Sequence, residues 1–177
     1  RAIREAVGVR ADLLFGTHGQ FTASGAIRLA RRLEEFDPLW FEEPTAPDQP
    51  DEMARVARQT TIPVATGERL TTITEFFALA RHQAAAIWQP NLGRCGGILA
   101  AKKIAAIAEA AGCQIAPHLY SGPILGAANI QLAATLPNLL IIEGIQDWSG
   151  LHADLLTRPI DWADGYVTPS REPGLGT

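Results

Sequence analysis

Residues 39–44, Leu39-Trp40-Phe41-Glu42-Glu43-Pro44, and residues 63–69, Pro63-Val64-Ala65-Thr66-Gly67-Glu68-Arg69, share one pattern. Each is a short apolar run ending in a glutamate, and Glu68 follows Glu42 by 26 positions. That interval is the length of one strand–helix–strand repeat, so both carboxylates would project from the same rim of a parallel sheet. Two carboxylates at one rim suit a hard divalent cation, because Mg²⁺ takes oxygen ligands and only one or two carboxylates beside water and substrate.

The same unit recurs on both sides. Asp12-Leu13-Leu14-Phe15 runs into Gly16-Thr17-His18-Gly19, and apolar residues Leu29, Leu33 and Phe36 then recur at helical spacing. After Glu42 the sequence predicts a helix over 50–59 with Asp48 as its cap. After Glu68, Thr72 and Glu75 form a capping-box pattern that opens the next helix. Ala85 to Gln89 leads to Pro90-Asn91, and Gly96-Gly97 introduces a long Ala/Ile helix to Ala111. Gln114-Ile115-Ala116 leads to Pro117-His118 and a helix over 123–135; Leu139 to Ile142 ends in Glu143. The expected pattern is six strands alternating with five helices, preceded by a helix at 2–7.

Short connections between alternating strands and helices imply a parallel sheet covered by helices, with right-handed crossovers. The strands are continuous apolar runs, as strands buried on both faces must be. Six of them end in a residue able to do chemistry: His18, Glu42, Glu68, Asn91, His118 and Glu143. A doubly wound sheet would concentrate such residues at one switch point, whereas a barrel brings every strand end to one mouth. The expectation is an α/β fold, a parallel (β/α) barrel.

Composition narrows the partners. The 177 residues are 47% hydrophobic and 19% charged, enough apolar material for a core and no mark of disorder. A net charge of −4 with scattered Lys and Arg argues against nucleic acid. The most apolar helical stretch is interrupted by Lys102, Lys103 and Glu109, so no membrane partner is expected. Cys95 and Cys113 form neither a disulfide framework nor a metal pattern and read as reduced thiols of a cytoplasmic protein. Neither Gly-x-Gly-x-x-Gly nor a P-loop is present, which leaves a nucleotide cofactor without support. Gly93-Arg94-Cys95-Gly96-Gly97 reads as close packing of a strand exit against a helix start.

Together, Trp40-Phe41-Glu42-Glu43-Pro44, Gly67-Glu68, Gln89-Pro90-Asn91 with Gly96-Gly97, Pro117-His118, Ile142-Glu143 and Glu172-Pro173-Gly174-Leu175-Gly176 resemble the enolase superfamily. The pattern is closest to its mandelate racemase/muconate lactonizing enzyme-like branch and to sugar-acid dehydratases of the galactonate type. The resemblance implies the C-terminal part of a modified (β/α)7β TIM-type barrel, about strands 3 to 8, over residues 1–145. Residues 146–177 would return towards a capping domain that precedes this segment in the family. It also implies Mg²⁺ held by Glu42 and Glu68, with His118 as the base at the substrate α-carbon. Glu143 would contact the substrate carboxylate, and His18 would bind substrate and protonate the leaving hydroxyl. The substrate would be a small sugar acid, a hexonate or hexarate dehydrated through an enediolate, and the longer protein would be a homo-oligomer.

Two residues depart from that pattern. The family places an aspartate ligand where this chain has Gly16, so either Thr17, His18 or Gln20 completes the metal sphere, or affinity falls, or the metal is lost. It also usually places an aspartate at position 91, and the Asn91 amide cannot stabilise an imidazolium as a carboxylate does. Three readings follow: a dehydratase; a racemase, epimerase or cycloisomerase on the same pathway; or a noncatalytic barrel that has lost a metal ligand. Simpler roles stand beside the catalytic ones. Asn91 could only cap a helix, Glu143 could only close the barrel by a salt bridge, Glu43 reads as structural, and Trp40 and Trp88 read as packing residues.

Overall fold

In the computed structural model, which describes residues 1–145 and 148–177, side-chain alternation in a parallel sheet sorts the chain into two faces. Five strands, β1 (Leu14–Gly16), β2 (Trp40–Glu42), β3 (Val64–Thr66), β4 (Ile87–Trp88) and β5 (Gln114–Ile115), pair in sequence order, all parallel. The register sets Gly16 beside Glu42, Glu42 beside Ala65, and Thr66 beside Trp88. Helices intervene at every crossover: α1 (Ala2–Val7), α2 (Ala23–Leu33), α3 (Pro50–Ala57), α4 (Ile73–His82), α5 (Leu92–Cys95), α6 (Gly97–Ala110) and α7 (Pro123–Ala133). This is the βα order of a parallel barrel, as the repeat predicted.

One face of the sheet, bearing Phe41, Val64, Trp88 and Ile115, packs into the helices. The other, bearing Trp40, Ala65, Ile87 and Ala116, forms a separate cluster. Period-2 alternation makes the split, and it sends Glu42 to the same face as Trp40. On the helix side, Ala101, Ile104, Ala105 and Ala108 of α6 are buried at helical spacing. In α2 the fully buried residues are Ala23, Ala26 and Ala30, with Ile27, Leu29 and Leu33 partly buried around them. Small residues take the closest approach there, and the larger ones fill the flanks.

Several local expectations change. The strand expected at 139–142 reduces to a single parallel bridge, Leu139 to Ile115, held by Ile115 N–H to the Asn138 carbonyl and Leu140 N–H to the Ile115 carbonyl. Asp48 does not cap α3; Gln49 holds that position without a side-chain bond, and Pro50 starts the helix, where the missing N–H costs nothing. The long helix starts at Gly97 as expected, after Gly96 at φ 104°, and a short α5 that the sequence did not suggest precedes it. The capping box at Thr72 and Glu75 is present in full.

Beyond the sheet lie α8 (Leu151–Asp154) and a hairpin of β6 (Trp162–Ala163) and β7 (Tyr166–Val167). Asp164 and Gly165, both at positive φ, make its two-residue turn. Gln146 and Asp147, the first residues of the expected C-terminal segment, lie outside the described residues. Among the described residues no helix is long and apolar enough to cross a membrane. Cys95 and Cys113 are free thiols.

The two cap positions provide a stability test. Thr72→Ala removes a side chain that accepts from the Glu75 N–H and is expected to cost about 1 kcal/mol in denaturant unfolding of the intact protein. Asp48→Ala, which removes no cap, should stay within about 0.5 kcal/mol of wild type.

Candidate active site

Glu42 closes β2 on the sheet face opposite the helices, and two N–H groups hold one of its oxygens. Trp40 Nε1 donates to Oε2 at 3.0 Å and Gln89 Nε2 donates to the same oxygen at 2.7 Å. Oε1 is left free to meet a ligand. Trp40 therefore does more than pack, and Gln89 is a site residue that sequence reasoning passed over. A signal was available for both: Trp40 lies two residues before Glu42 in the strand, and Gln89 follows the last residue of β4.

Glu68 is presented by a turn only glycine permits. A Cβ on Gly67 (φ 137°) would lie 2.9 Å from both the Gln89 amide nitrogen and Phe76 Cε1. With no side chain there, the chain turns tightly against β4 and delivers Glu68 next. The Glu68 side chain is 13% exposed, with Oε1 3.9 Å from His18 Nε2 and Oε2 3.5 Å from His118 Nε2. It thus sits between the two histidines.

His18 reaches this point because the loop after β1 is tied to the loop after β2. Thr17 N–H donates to the Glu42 carbonyl at 3.1 Å, Thr17 Oγ1 to the Glu43 carbonyl at 2.9 Å, and Gly19 N–H to the Glu43 carbonyl at 2.7 Å. Between them His18 adopts φ 49°, a left-handed conformation uncommon outside glycine. Gly19 is needed as glycine, since a Cβ would lie 2.6 Å from Arg69 Nη2 and 3.0 Å from Ala46 Cα. Arg69 in turn donates from Nε to the Glu43 carboxylate at 2.8 Å. Glu43 is fully buried, and burial pushes its carboxyl up against the pull of Arg69. Glu43 is structural, and its work is to fix the floor under His18.

His118 follows β5, and its backbone carbonyl accepts from Nδ2 of the buried Asn129 at 3.1 Å. Glu143 Oε2 accepts the Leu119 N–H and lies 3.9 Å from His118 Nε2. Asn91 performs both roles considered for it. Its Oδ1 caps α5 by accepting the Gly93 N–H at 2.9 Å, and its Nδ2 meets His118 Nδ1 at 2.8 Å. The Gly93 bond fixes the amide orientation, so the amide must donate to the ring. Nδ1 then accepts, and the neutral ring carries its proton on Nε2, the nitrogen facing Glu68 and Glu143. An aspartate could accept from Gly93 and from the ring together; an asparagine cannot.

All six residues singled out from sequence lie at one end of the sheet. Glu42, His118 and Glu143 line a cavity of about 300 Å³ together with Gly16, Trp40 and Gln89. His18, Glu42 and Glu68 each place a ligand atom within 4.8 Å of the others. Two carboxylates and an imidazole at that spacing can share one divalent ion, so the donor set fits a metal.

The chain belongs to the enolase C-terminal domain-like family, whose model matches residues 1–177. It is similar to the D-xylonate dehydratase of Haloferax volcanii, at 37% identity over 175 residues, covering 99% of this chain and 42% of that protein. It is similar too to the D-galactonate dehydratase of Ralstonia nicotianae, at 38% identity over 183 residues, covering 98% and 47%. The crystal structure of a mandelate racemase/muconate lactonizing enzyme from Sulfitobacter sp superposes with TM-score 0.93 at 57% identity, covering 99% of this chain and 44% of that one. The chain spans less than half the length of these relatives. Its fold is the C-terminal α/β part of the barrel they share.

The polarity of the Asn91–His118 bond is directly measurable. Asn91→Asp is expected to move the neutral-ring proton from Nε2 to Nδ1, read from the ¹⁵N shifts of His118 in the intact protein. Identical tautomers in both proteins would show that Asn91 does not set the ring.

Proposed function

We propose that this chain carries the cation-binding and proton-transfer residues of a sugar-acid dehydratase, acting on a hexonate or hexarate. The observation that carries the reading is that Glu42 and His118 line one cavity at the strand ends, with Glu68 3.5 Å from His118 and within 4.8 Å of Glu42. The dehydratase names of the relatives support the reaction class.

Glu42 and Glu68 would hold a divalent cation, Mg²⁺ in the first instance. When bound, it supplies positive charge beside the substrate carboxylate, where negative charge builds as the α-proton leaves. Glu143, which lines the cavity with Glu42 and His118, contacts the substrate carboxylate. His118 takes the α-proton. The bond from the β-carbon to its hydroxyl breaks, the same proton leaves with that oxygen as water, and the resulting enol becomes a 2-keto-3-deoxy acid. Atoms balance with no other reactant.

Asn91 sets a cost on the first step. To accept a proton on Nε2, the ring must shift its own proton to Nδ1, which turns the amide away from Gly93. A lost hydrogen bond at a buried position costs about 1–3 kcal/mol, roughly one to two powers of ten in rate. Enzymes lower barriers by about 8 kcal/mol or more, so Asn91 slows the reaction and does not forbid it.

The test incubates the intact protein with Mg²⁺ and, separately, Mn²⁺ against a panel of hexonates and hexarates, with 2-keto acid as the readout. At least one substrate is expected to react, EDTA to abolish the reaction, and His118→Gln to lower kcat about 10²- to 10⁴-fold. Absence of both keto acid and metal binding would leave the noncatalytic reading in its place.

A further inference from the structure

Residue 16 ends β1 directly beside Glu42 in the register. A Cβ built there would lie 3.4 Å from Glu42 Oε1, so a carboxylate at 16 would stand beside the Glu42 carboxylate. Glycine supplies no donor, and the only nitrogen that closes the group among the described residues is His18 Nε2, within 4.8 Å of a carboxylate oxygen on both Glu42 and Glu68. Its backbone is fixed on both sides: Thr17 and Gly19 are bonded to the Glu42 and Glu43 carbonyls, and Arg69, paired with Glu43, takes the space a Cβ on Gly19 would need. The free oxygen of Glu42 faces the cluster because Trp40 and Gln89 take the other one.

We propose that His18 is the third protein ligand of the metal, and that a site of one imidazole and two carboxylates selects Mn²⁺ and other first-row transition ions over Mg²⁺. The proposal rests on the cation reading above. Mg²⁺ prefers oxygen and keeps its waters, so a nitrogen donor adds little to its binding. Imidazole suits the transition ions, and each gains a bond that Mg²⁺ does not exploit. His18 is then committed to the ion and is not the acid for the leaving hydroxyl, which is why the elimination above uses His118 for both proton movements.

Mn²⁺ is the probe, because it is paramagnetic and reports its own ligands. Titration of the intact protein should give Mn²⁺ a dissociation constant at least about tenfold below that of Mg²⁺. Pulsed EPR of the Mn²⁺ complex should show modulation from a directly bound ¹⁴N. His18→Gln should remove that modulation and weaken Mn²⁺ by at least the roughly 10- to 100-fold that loss of a supporting group costs a metal site, while Mg²⁺ affinity changes little. His18 is exposed on one side, so the variant should fold. The double variant Gly16→Asp with His18→Gln should bring back tight binding without nitrogen and restore Mg²⁺ to parity. Mn²⁺ bound without nitrogen modulation, or modulation that persists in His18→Gln and so comes from His118, would overturn this assignment and leave the cation reading intact. Failure to bind Mn²⁺ or Mg²⁺ at millimolar concentration would overturn both.

Discussion

Period-2 alternation along short parallel strands is the constraint from which the rest of the molecule follows. A strand of three residues, Trp40-Phe41-Glu42, can send only its middle side chain to the helices, so the two beside it face the other way. Phe41 goes to the helix-packed core and carries Glu42 into the cavity. A one-residue slip of β2 would bury Glu42 among the helices and expose Phe41, at the cost of a desolvated charge and a lost aromatic contact. The register is thereby enforced by the same two residues that define the site. Function and stability are not separable at this point in the chain.

Among the described residues, Glu42 is held by its neighbours in the sheet and not by Lys or Arg. Glu42 takes two neutral N–H donors, from Trp40 on its own strand and from Gln89 after β4. Neutral donors orient a carboxylate without neutralising it, which leaves its full charge for an ion. Arg69, next to Glu68 in sequence, pairs with the buried Glu43. Had Arg69 reached Glu42 or Glu68 instead, a strong ion pair would compete with metal. Gly19 makes this division of labour sterically feasible, because its missing Cβ is the room that Arg69 occupies.

Much of this was legible in the sequence, and the rest was hidden for identifiable reasons. The strand ends carrying Glu42, Glu68, Asn91 and His118 could be read because each follows an apolar run, and the Thr72–Glu75 box could be read because both partners are local. Asp48 failed as a cap because Pro50 favours the first helical position and left Gln49 before it. Leu139 to Ile142 reads as a full strand by composition, but its pairing partner β5 is only two residues long, and the contact shrinks to one bridge. The Asp164-Gly165 turn was a missed signal. The roles of Trp40 and Gln89 depend on which atom of Glu42 they reach. That depends on the distance between β2 and β4, which no local pattern encodes.

The two departures from the family pattern, Gly16 and Asn91, act in the same direction electrostatically. Each replaces a carboxylate by a neutral residue, so Glu42 and Glu68 would be the only two carboxylates of the His18–Glu42–Glu68 group to balance a divalent ion. At about 4 Å and an effective dielectric near 20, one further carboxylate would repel an anionic substrate by about 4 kcal/mol. Removing two such charges would lower the repulsion met by an anionic substrate, and it would equally lower the affinity for a cation unless another donor replaced the lost ligand. An imidazole is the donor that resolves this conflict, because it binds a transition ion without adding negative charge. His18 is in position to do so, and Asn91 holds His118 by a neutral bond in the same way that Trp40 and Gln89 hold Glu42. The site is consistently built from neutral supports around two charges.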